Sequence, residues 1–356
     1  MRTWLLRWFA PRPSAPAAVL RRSVPAPESA PAAAAPTAAP ALALAPARAA
    51  PVDSAHDLDF FAVVLGAAGD RQAAPGVREQ QLVQALDRLA DDRSTHASLL
   101  PRSAAVVPQL LAQLRGPKTS LASLSEQVSR DLTLVAEVIR MANSAYYRRP
   151  EAVVELEHAI QVLGINGMQS AIARAVMKPL IDVRSGDIAK AGAPRLWLHT
   201  DHKAQLCAAL ARDERLDPFE AYLTGLVHDA VWSVVMRTMD LAGSGPAWGL
   251  DAGFVQALGL RRDRLFGAIA RQWKLSDALS QVAAEVAQAG LAGASSAQGR
   301  LLFAADHLAS LISAADTAGA GDVEASAAPL LATLGASANG CYRALAAPSA
   351  PAAASA

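Results

Sequence analysis

Cysteine, aromatic residues and long hydrophobic runs are all scarce in this sequence. Only two cysteines, Cys207 and Cys341, occur among 356 residues, which excludes a disulfide-stabilised scaffold and favours reduced thiols in a cytoplasmic protein. No stretch approaches the ~20 consecutive large apolar residues that a membrane-spanning helix requires. The formal net charge is only +1, which argues against nucleic-acid binding through a general positive charge.

The sequence is rich in alanine and in helical periodicity. Hydrophobic residues make up 52% of the chain, and between about 57 and 345 they recur at steps of three and four with no convincing alternating strand. We therefore expect an all-α protein, an irregular globule of many short helices. Helices are predicted at 155–163, 167–180, 194–212, 218–239, 253–272, 276–289, 297–314 and 323–345. Helix ends are expected at Gly164, Gly186, Gly192, Gly243 and Gly290.

The first 52 residues differ from the rest in charge and in proline content. Six arginines oppose one acid, Glu28, so this segment has a charge of +5 and the remaining chain −4; the arginines are Arg2, Arg7, Arg12, Arg21, Arg22 and Arg48. The recurring prolines between 11 and 51 break each helical turn, which predicts a disordered Ala/Pro arm. Residues 1–10 combine aromatic residues with arginine and could contact a membrane surface weakly. Residues 346–356 predict a second disordered tail.

Six sequence segments follow one another in a specific order between Leu100 and Asp229. They are Leu100–Leu111, Ser129–Asp131, Met141–Tyr147, Glu157–Gly164, Leu196–Thr200 and Ala221–Asp229. This series resembles the HDOD family, a helical signalling-output module related to HD-domain phosphohydrolases. The resemblance covers roughly residues 99–315 and implies an HD-domain-like helical fold.

The resemblance also suggests a division of the chain. Residues 99–315 would form the HDOD domain, and residues 53–98 a short helical segment that docks on it. Residues 316–345 would add C-terminal helices, after the arm at 1–52 and before the tail at 346–356. No receiver, cyclase or kinase segment is evident, so the input signal is expected from another molecule or from 53–98.

The resemblance to HD hydrolases implies a metal site at His199, His228, Asp229 and Asp306. Imidazole and carboxylate groups suit a divalent ion that polarises a phosphate and activates water. HD hydrolases commonly continue the His-Asp pair with Gly and Lys, however, whereas Ala230–Ser233 follows here and offers no basic residue.

Further departures weaken the metal site. Asp263, Glu285 and Val286 stand where better-preserved relatives place further histidines. We therefore expect a degenerate site with no catalytic residue and no bound cofactor; a bound divalent metal ion is the alternative. His202, three residues after His199, is interpreted as solvated.

A second candidate surface follows the helix that ends near Ala142. Asn143, Ser144, Tyr146 and Tyr147 combine helix-ending polar groups with two flat aromatic faces. They are interpreted either as a plug that closes the helix end or as a surface for a partner or ligand.

These observations predict a non-catalytic HDOD regulatory or scaffold module in bacterial signal transduction. It would act in the cytoplasm and bind a signalling protein or a small ligand. The alternative is a metal-dependent HD-type phosphohydrolase that acts on a nucleotide or phosphoester.

Overall fold

The structure, a computed structural model, describes a folded body and not the two ends of the chain. The described residues are 54–94, 99–100, 106–116, 119–144, 146–147, 151–182, 186–243, 245, 247–318 and 320–347. The predicted arm at 1–52, its proposed membrane contact at 1–10 and all but the first two residues of the predicted tail lie outside them.

The described residues form thirteen α-helices and one pair of very short strands. The helices are α1 Ser54–Leu65, α2 Val77–Asp91, α3 Val106–Leu114, α4 Leu121–Ser129, α5 Leu132–Ala142, α6 Leu156–Ile181, α7 Asp187–Asp213, α8 Pro218–Leu241, α9 Ala252–Trp273, α10 Asp277–Ala289, α11 Ala297–Ala318, α12 Ala320–Leu331 and α13 Ala336–Ala346. Two 3₁₀ turns cover Gly66–Ala68 and Leu291–Gly293. The prediction of an all-α fold is confirmed. None of the described helices is both long and apolar enough to cross a bilayer.

Helix α8 is the centre of the fold. Its start is well specified, because the Asp217 carboxylate accepts hydrogen bonds from the backbone N–H groups of Phe219 and Glu220 and Pro218 is its first residue. From Phe219 to Met236 every side chain is buried. A helix that is buried all round must be covered by others, and α7 packs along it while α6, α9 and α11 also contact it.

The two N-terminal helices lie against this body. Helix α1 packs on α7, α9 and α11, and α2 packs on α8 and α9. The strand β1, Gly69–Asp70, pairs in parallel with β2, Trp248–Gly249. Glu79 of α2 accepts a hydrogen bond from the Gly249 backbone N–H, which adds a second tie to the same loop.

Glycine marks some helix boundaries and not others. Gly164 has φ of 59°, so the predicted break is present inside the span of α6. The prediction that Gly192 ends a helix is wrong, because Gly192 lies inside α7. A Cβ atom there would lie 2.7 Å from Met236 Sδ and 3.1 Å from the Val64 carbonyl oxygen, so glycine permits close packing between α7, α8 and α1. Helix α7 accordingly begins at Asp187, before the predicted 194.

The single helix predicted at 323–345 is also wrong, because the chain breaks between α12 and α13. The carboxylate of Asp213, at the end of α7, accepts hydrogen bonds from the backbone N–H groups of Ser337 and Ala338 and so starts α13. A cap supplied from a distant part of the chain leaves no local sequence signal.

Candidate functional site

Three helices bring the predicted metal-site residues together in the core. His199 lies on α7, His228 and Asp229 on α8, and Asp306 on α11, and none of them is more than 8% exposed. Ligand atoms of His199, Asp229 and Asp306 all lie within 4.8 Å of one another. His228 is adjacent, but its ring contacts Lys203 and Asp263. The cluster therefore contains an imidazole and two carboxylates in an arrangement that suits a cation.

The cation in this cluster is Lys203. Lys203 follows His199 by four residues on α7, so both lie on one face of the helix. Its ammonium nitrogen lies 2.5 Å from Asp229 Oδ1, 2.6 Å from Asp306 Oδ1 and 2.5 Å from His228 Nδ1. An ammonium group has three hydrogen atoms to donate, and these three acceptors use them all.

Electrostatics favours the charged form of each member of this ion cluster. Burial acts to lower the pKa of Lys203, but the carboxylates of Asp229 and Asp306 outweigh it and hold that pKa above its ordinary value. Burial likewise acts to raise the pKa of Asp229 and of Asp306, and Lys203 more than offsets it, so both pKa values lie below the ordinary range. The ammonium and the two carboxylates therefore stabilise one another in the buried core.

His228 accepts a hydrogen bond from Lys203. Because the ammonium can only donate, Nδ1 of His228 accepts from Lys203, and its Nε2–H faces Asp263 Oδ1 at 3.2 Å. Asp263 also accepts from the Leu291 backbone N–H at 2.7 Å and from Arg262 Nε at 2.9 Å. Asp263 thus orients the His228 ring.

Arg262 supplies a second cation beside Lys203. Its Nη1 donates to Asp306 Oδ2 at 3.2 Å, while its Nε donates to Asp263. Its guanidinium lies 5.0 Å from the ring centroid of Trp232, a cation–π distance. Asp306 therefore has a cation on each of its two oxygens.

His199 is held without charge at the edge of the cluster. Burial lowers the pKa of His199 to about 4, although Asp229 and Asp306 act to raise it. Nδ1 of His199 lies 3.1 Å from Ser313 Oγ, and Nε2 lies 3.4 Å from Asp229 Oδ2. Within the described residues this buried oxygen has no hydrogen-bond partner.

Helix α1 closes the cluster from outside. The Phe60 ring centroid lies 4.1 Å from that of His199, and Phe61 packs edge-on against Trp232 at 4.6 Å. Both phenylalanines are 4% exposed. A void of about 20 Å³ remains between these rings, His199 and Asp306, which is room for about one water molecule. A nucleotide or phosphoester would not fit.

A divalent metal ion does not fit the cluster as it stands. The HD fold implies a metal at His199, Asp229 and Asp306, but the ammonium of Lys203 already contacts both carboxylates. A doubly charged ion 3–4 Å from an ammonium is repelled by on the order of 10 kcal/mol at an effective dielectric constant of about 20. The donor set suits a metal ion, whereas the charge inside it does not.

Lys203 and Arg262 are the functional residues that the sequence analysis missed. The four residues after the His-Asp pair contain no base, as the sequence shows, but α7 and α9 bring Lys203 and Arg262 to the cluster. The spacing of four residues after His199 places Lys203 on the same face of α7, and this is the local signal that the sequence offers. His202, interpreted as solvated, is half-buried, and its Nδ1 atom is buried.

The residues that replace family histidines have structural roles of their own. Glu285 accepts hydrogen bonds from the backbone N–H groups of Ser295 and Ser296 just before α11, at 2.5 and 2.9 Å. Partial burial acts to raise the pKa of Glu285, but its hydrogen bonds from Ser295 and Ser296 lower that pKa to about 2. Val286 is a core residue, fully buried. Neither contributes to the ion cluster.

The predicted partner surface is partly occupied by internal contacts. The Asn143 side chain accepts from the Val153 backbone N–H at 2.8 Å and donates to the carbonyl oxygens of Val153 and Ile139. Tyr146 and Tyr147 pack edge to face with ring centroids 4.7 Å apart, and the Arg212 guanidinium lies over the Tyr146 ring at 4.7 Å.

Through these contacts, Asn143 and the paired tyrosines close the C-terminal end of α5. Ser144 has a buried hydroxyl without a hydrogen-bond partner among the described residues. Tyr146 and Tyr147 both remain partly accessible. Partner binding at this surface stays a prediction.

A second, wider cavity lies away from the ion cluster. Its volume is about 660 Å³, and α2, the beginning of α7 and the end of α8 form its walls. Arg78 and Arg237 line it together with Trp248, whose ring lies 3.9 Å beneath the Arg78 guanidinium. This volume could accept a small organic molecule, unlike the void beside His199.

Comparisons with known proteins bear on the fold and on the family of this chain. The chain is similar to a crystal structure described as "Putative metal-dependent phosphohydrolase from Shewanella amazonensis SB2B", with a TM-score of 0.51, 15% identity and coverage of 76% of this chain and 99% of that one. A second structure, described as "Putative phosphohydrolase" from the same organism, has a TM-score of 0.44, 20% identity and coverage of 74% and 93%. No curated protein matches.

The first of these likenesses supports the HD-like helical fold alone. The sequence pattern of the HDOD domain matches residues 100–289, which is more than half of the 356 residues. The resemblance inferred from the six ordered segments is therefore confirmed: the chain belongs to the HDOD domain family.

Proposed function

We propose that this protein is a non-catalytic regulatory module of bacterial signal transduction, which binds a signalling protein or a small ligand in the cytoplasm. The observation that carries the proposal is the position of Lys203. Its ammonium contacts Asp229 and Asp306, the carboxylates on which an HD-type hydrolase would hold its metal ion. Without a Lewis acid or an activated water, the remaining residues have no means to attack a phosphoester.

The closure of the cluster supports the same proposal. Phe60, Phe61 and Trp232 cover His199 and leave a void of about 20 Å³, so a substrate has no route to the buried carboxylates. Cys207 offers no alternative nucleophile, because burial raises the pKa of its thiol well above the ordinary value. A module of this kind acts through its surface, for example through the cavity lined by Arg78 and Arg237 or the surface at Tyr146 and Tyr147.

Hydrolysis assays test the absence of catalysis. The full chain would be incubated with bis-p-nitrophenyl phosphate, p-nitrophenyl phosphate and nucleotides in the presence of Mn²⁺, beside the matched variant Asp229→Asn. We expect equal background rates for both proteins. A wild-type rate that exceeds that of Asp229→Asn reproducibly, by tenfold or more, would contradict the proposal.

Partner binding needs a separate experiment. Chemical cross-linking in the native cell, followed by mass spectrometry, would compare the wild type with Tyr147→Ala and with a chain that lacks residues 1–52. A cross-linked signalling protein that is lost in one variant and retained in the other locates the contact. A wild-type protein that forms no specific cross-link would count against a scaffold role.

The second candidate is a metal-dependent phosphohydrolase. His199, Asp229 and Asp306 favour it, because their ligand atoms lie within 4.8 Å of one another. It requires Lys203 to leave the cluster and α1 to open. Elemental analysis of the purified wild type decides this directly: stoichiometric Mn, Fe or Zn would favour the enzyme over the regulatory module.

A further inference from the structure

The Lys203 side chain is coordinated in the manner of a bound cation. Three acceptors from α8 and α11 surround its nitrogen at 2.5–2.6 Å, and the side chain has no exposed surface. A buried ammonium normally finds one carboxylate; this one has two carboxylates and an imidazole nitrogen. The surroundings therefore offer more negative charge than a single lysine requires.

The composition of the surroundings is that of a metal site. Asp229, Asp263 and Asp306 bring three carboxylates, against which Lys203 and Arg262 bring two positive charges. His199 and His228 add imidazole nitrogens. A lysine-centred structural cluster has no need of histidines, whereas imidazole with carboxylate is a donor set that transition metals such as Mn²⁺ and Zn²⁺ prefer.

One carboxylate oxygen of Asp229 without a donor independently supports the likeness to a metal site. Asp229 Oδ2 is fully buried, has no hydrogen-bond partner among the described residues and lies 3.4 Å from His199 Nε2. Buried carboxylate oxygens are rarely left without a donor. The Lys203 ammonium contacts only Oδ1 of Asp229. A metal ion, which several ligands coordinate at once, can contact both oxygens of a carboxylate.

We propose that Lys203 is an internal cation in the place of a divalent metal ion, and that shortening its side chain converts the cluster into a transition-metal site. His199, Asp229 and Asp306 are the ligands of that site. The removed methylene and ammonium groups, together with the adjoining void of about 20 Å³, make room for the ion and a water ligand. The inference rests on the proposed function in one respect, because both require that the wild-type cluster holds no metal.

The experiment measures metal binding by the full chain. Wild type, Lys203→Ser and Lys203→Met would be stripped with a chelator, dialysed against Mn²⁺ or Zn²⁺ and analysed by elemental mass spectrometry. We expect one ion per chain for Lys203→Ser and no stoichiometric ion for the wild type. Lys203→Met is the matched control: it also lacks the charge but fills the space, so it is expected to bind no ion.

A further variant separates the cluster from adventitious binding by surface histidines. Lys203→Ser combined with Asp229→Asn lacks one of the ligands and is expected to bind the ion at least tenfold more weakly than Lys203→Ser. Equal binding by these two proteins would overturn the proposal. So would a Lys203→Ser protein that is folded and binds no ion.

Folding of the variant provides a second readout. Removal of the cation leaves the carboxylates of Asp229 and Asp306 close together, so Lys203→Ser is expected to melt lower than wild type without metal and to recover with Mn²⁺. A variant that is unfolded without metal must regain its helical circular dichroism when Mn²⁺ is added; failure to do so contradicts the proposal.

The results for the wild type distinguish this inference from the proposed function. A metal-free, inactive wild type with a Lys203→Ser variant that binds no ion refutes only the inference. A wild type that binds a metal and hydrolyses phosphoesters refutes both.

Discussion

Two buried ion clusters lie on different sides of α7, and they differ in composition. In the first, Arg174 of α6 contacts Glu137 and Asp201, and Arg140 contacts Glu137 as well. Two acids balance two guanidinium groups there, and Arg140 is 52% exposed. This Arg174 cluster is a charge-neutral clamp between α5, α6 and α7, and each of its charges has a stated partner.

The Lys203 cluster has an excess of acid and contains two histidines. Its ammonium is wholly buried, and one oxygen of Asp229 has no donor among the described residues. A network that is only structural can be balanced in charge, as the Arg174 cluster shows. The difference indicates that the Lys203 cluster keeps the residues of a cation site and takes its cation from the chain itself. Four measurements can sharpen or break this comparison.

The largest effect is expected from Asp229→Asn. It leaves the Lys203 ammonium in the core with one carboxylate fewer, and loss of one member of a buried ion pair costs about 3–5 kcal/mol of unfolding free energy. Urea denaturation followed by circular dichroism would measure it. A cost below about 1 kcal/mol would mean that Lys203 does not depend on Asp229 for its charge.

A slightly smaller effect is expected from Phe60→Ala. The Phe60 ring packs on His199, so truncation should cost about 3 kcal/mol through the cavity it leaves. It should also admit solvent, seen as faster hydrogen exchange in α1 with unchanged exchange in α5. Leu132→Ala, at a side chain that is 86% exposed, is the control and should change neither quantity.

Asp201→Asn tests the other cluster with the same chemical change as Asp229→Asn. Arg174 would lose the charge of Asp201 and one of the two oxygens that accept from it at 2.7 and 3.1 Å, but would keep Glu137. We therefore expect a loss of about 2 kcal/mol of unfolding free energy, less than for Asp229→Asn. A larger loss of unfolding free energy for Asp201→Asn than for Asp229→Asn would contradict the proposed difference between the two clusters.

The smallest effect is a pH dependence from His199. Its folded pKa of about 4 lies below the ordinary histidine value of 6.5, so acid favours the unfolded state, which binds the proton more readily. Stability should therefore fall by about 1 kcal/mol as the pH drops from 7 to 5.5. His199→Asn should flatten that part of the profile, and an unchanged slope would show that another group causes it.

The sequence predicted the fold class well and the cluster in part. Helical periodicity and the six ordered segments were sufficient for the all-α fold and the family, because both depend on local pattern. The convergence of His199 and Asp229 follows from the family resemblance, and Asp306 joins them although its local pattern is that of an ordinary amphipathic helix. The spacing of residues along one helix cannot show which distant helix a given residue contacts.

The remainder depended on contacts between distant segments. The place of Lys203 is set by α8 and α11, and the closure of the cluster by α1. The internal position of Gly192 and the break before α13 come from Met236 and Asp213, each from another helix. Tertiary capping and close packing of this kind override local propensity. The division of the chain at residue 99 and the partner surface at Tyr146 and Tyr147 stay predictions.

The parts that complete the Lys203 cluster lie beyond the borders of the family match. The match ends at residue 289, whereas Asp306 lies on α11, and it begins at residue 100, whereas Phe60 lies on α1. A recombinant fragment cut at these borders would lose Asp306, one of the two carboxylates that contact Lys203. It would also lose Phe60, the ring that covers His199. For this chain, a fragment that keeps the cluster must therefore run at least from α1 to α11.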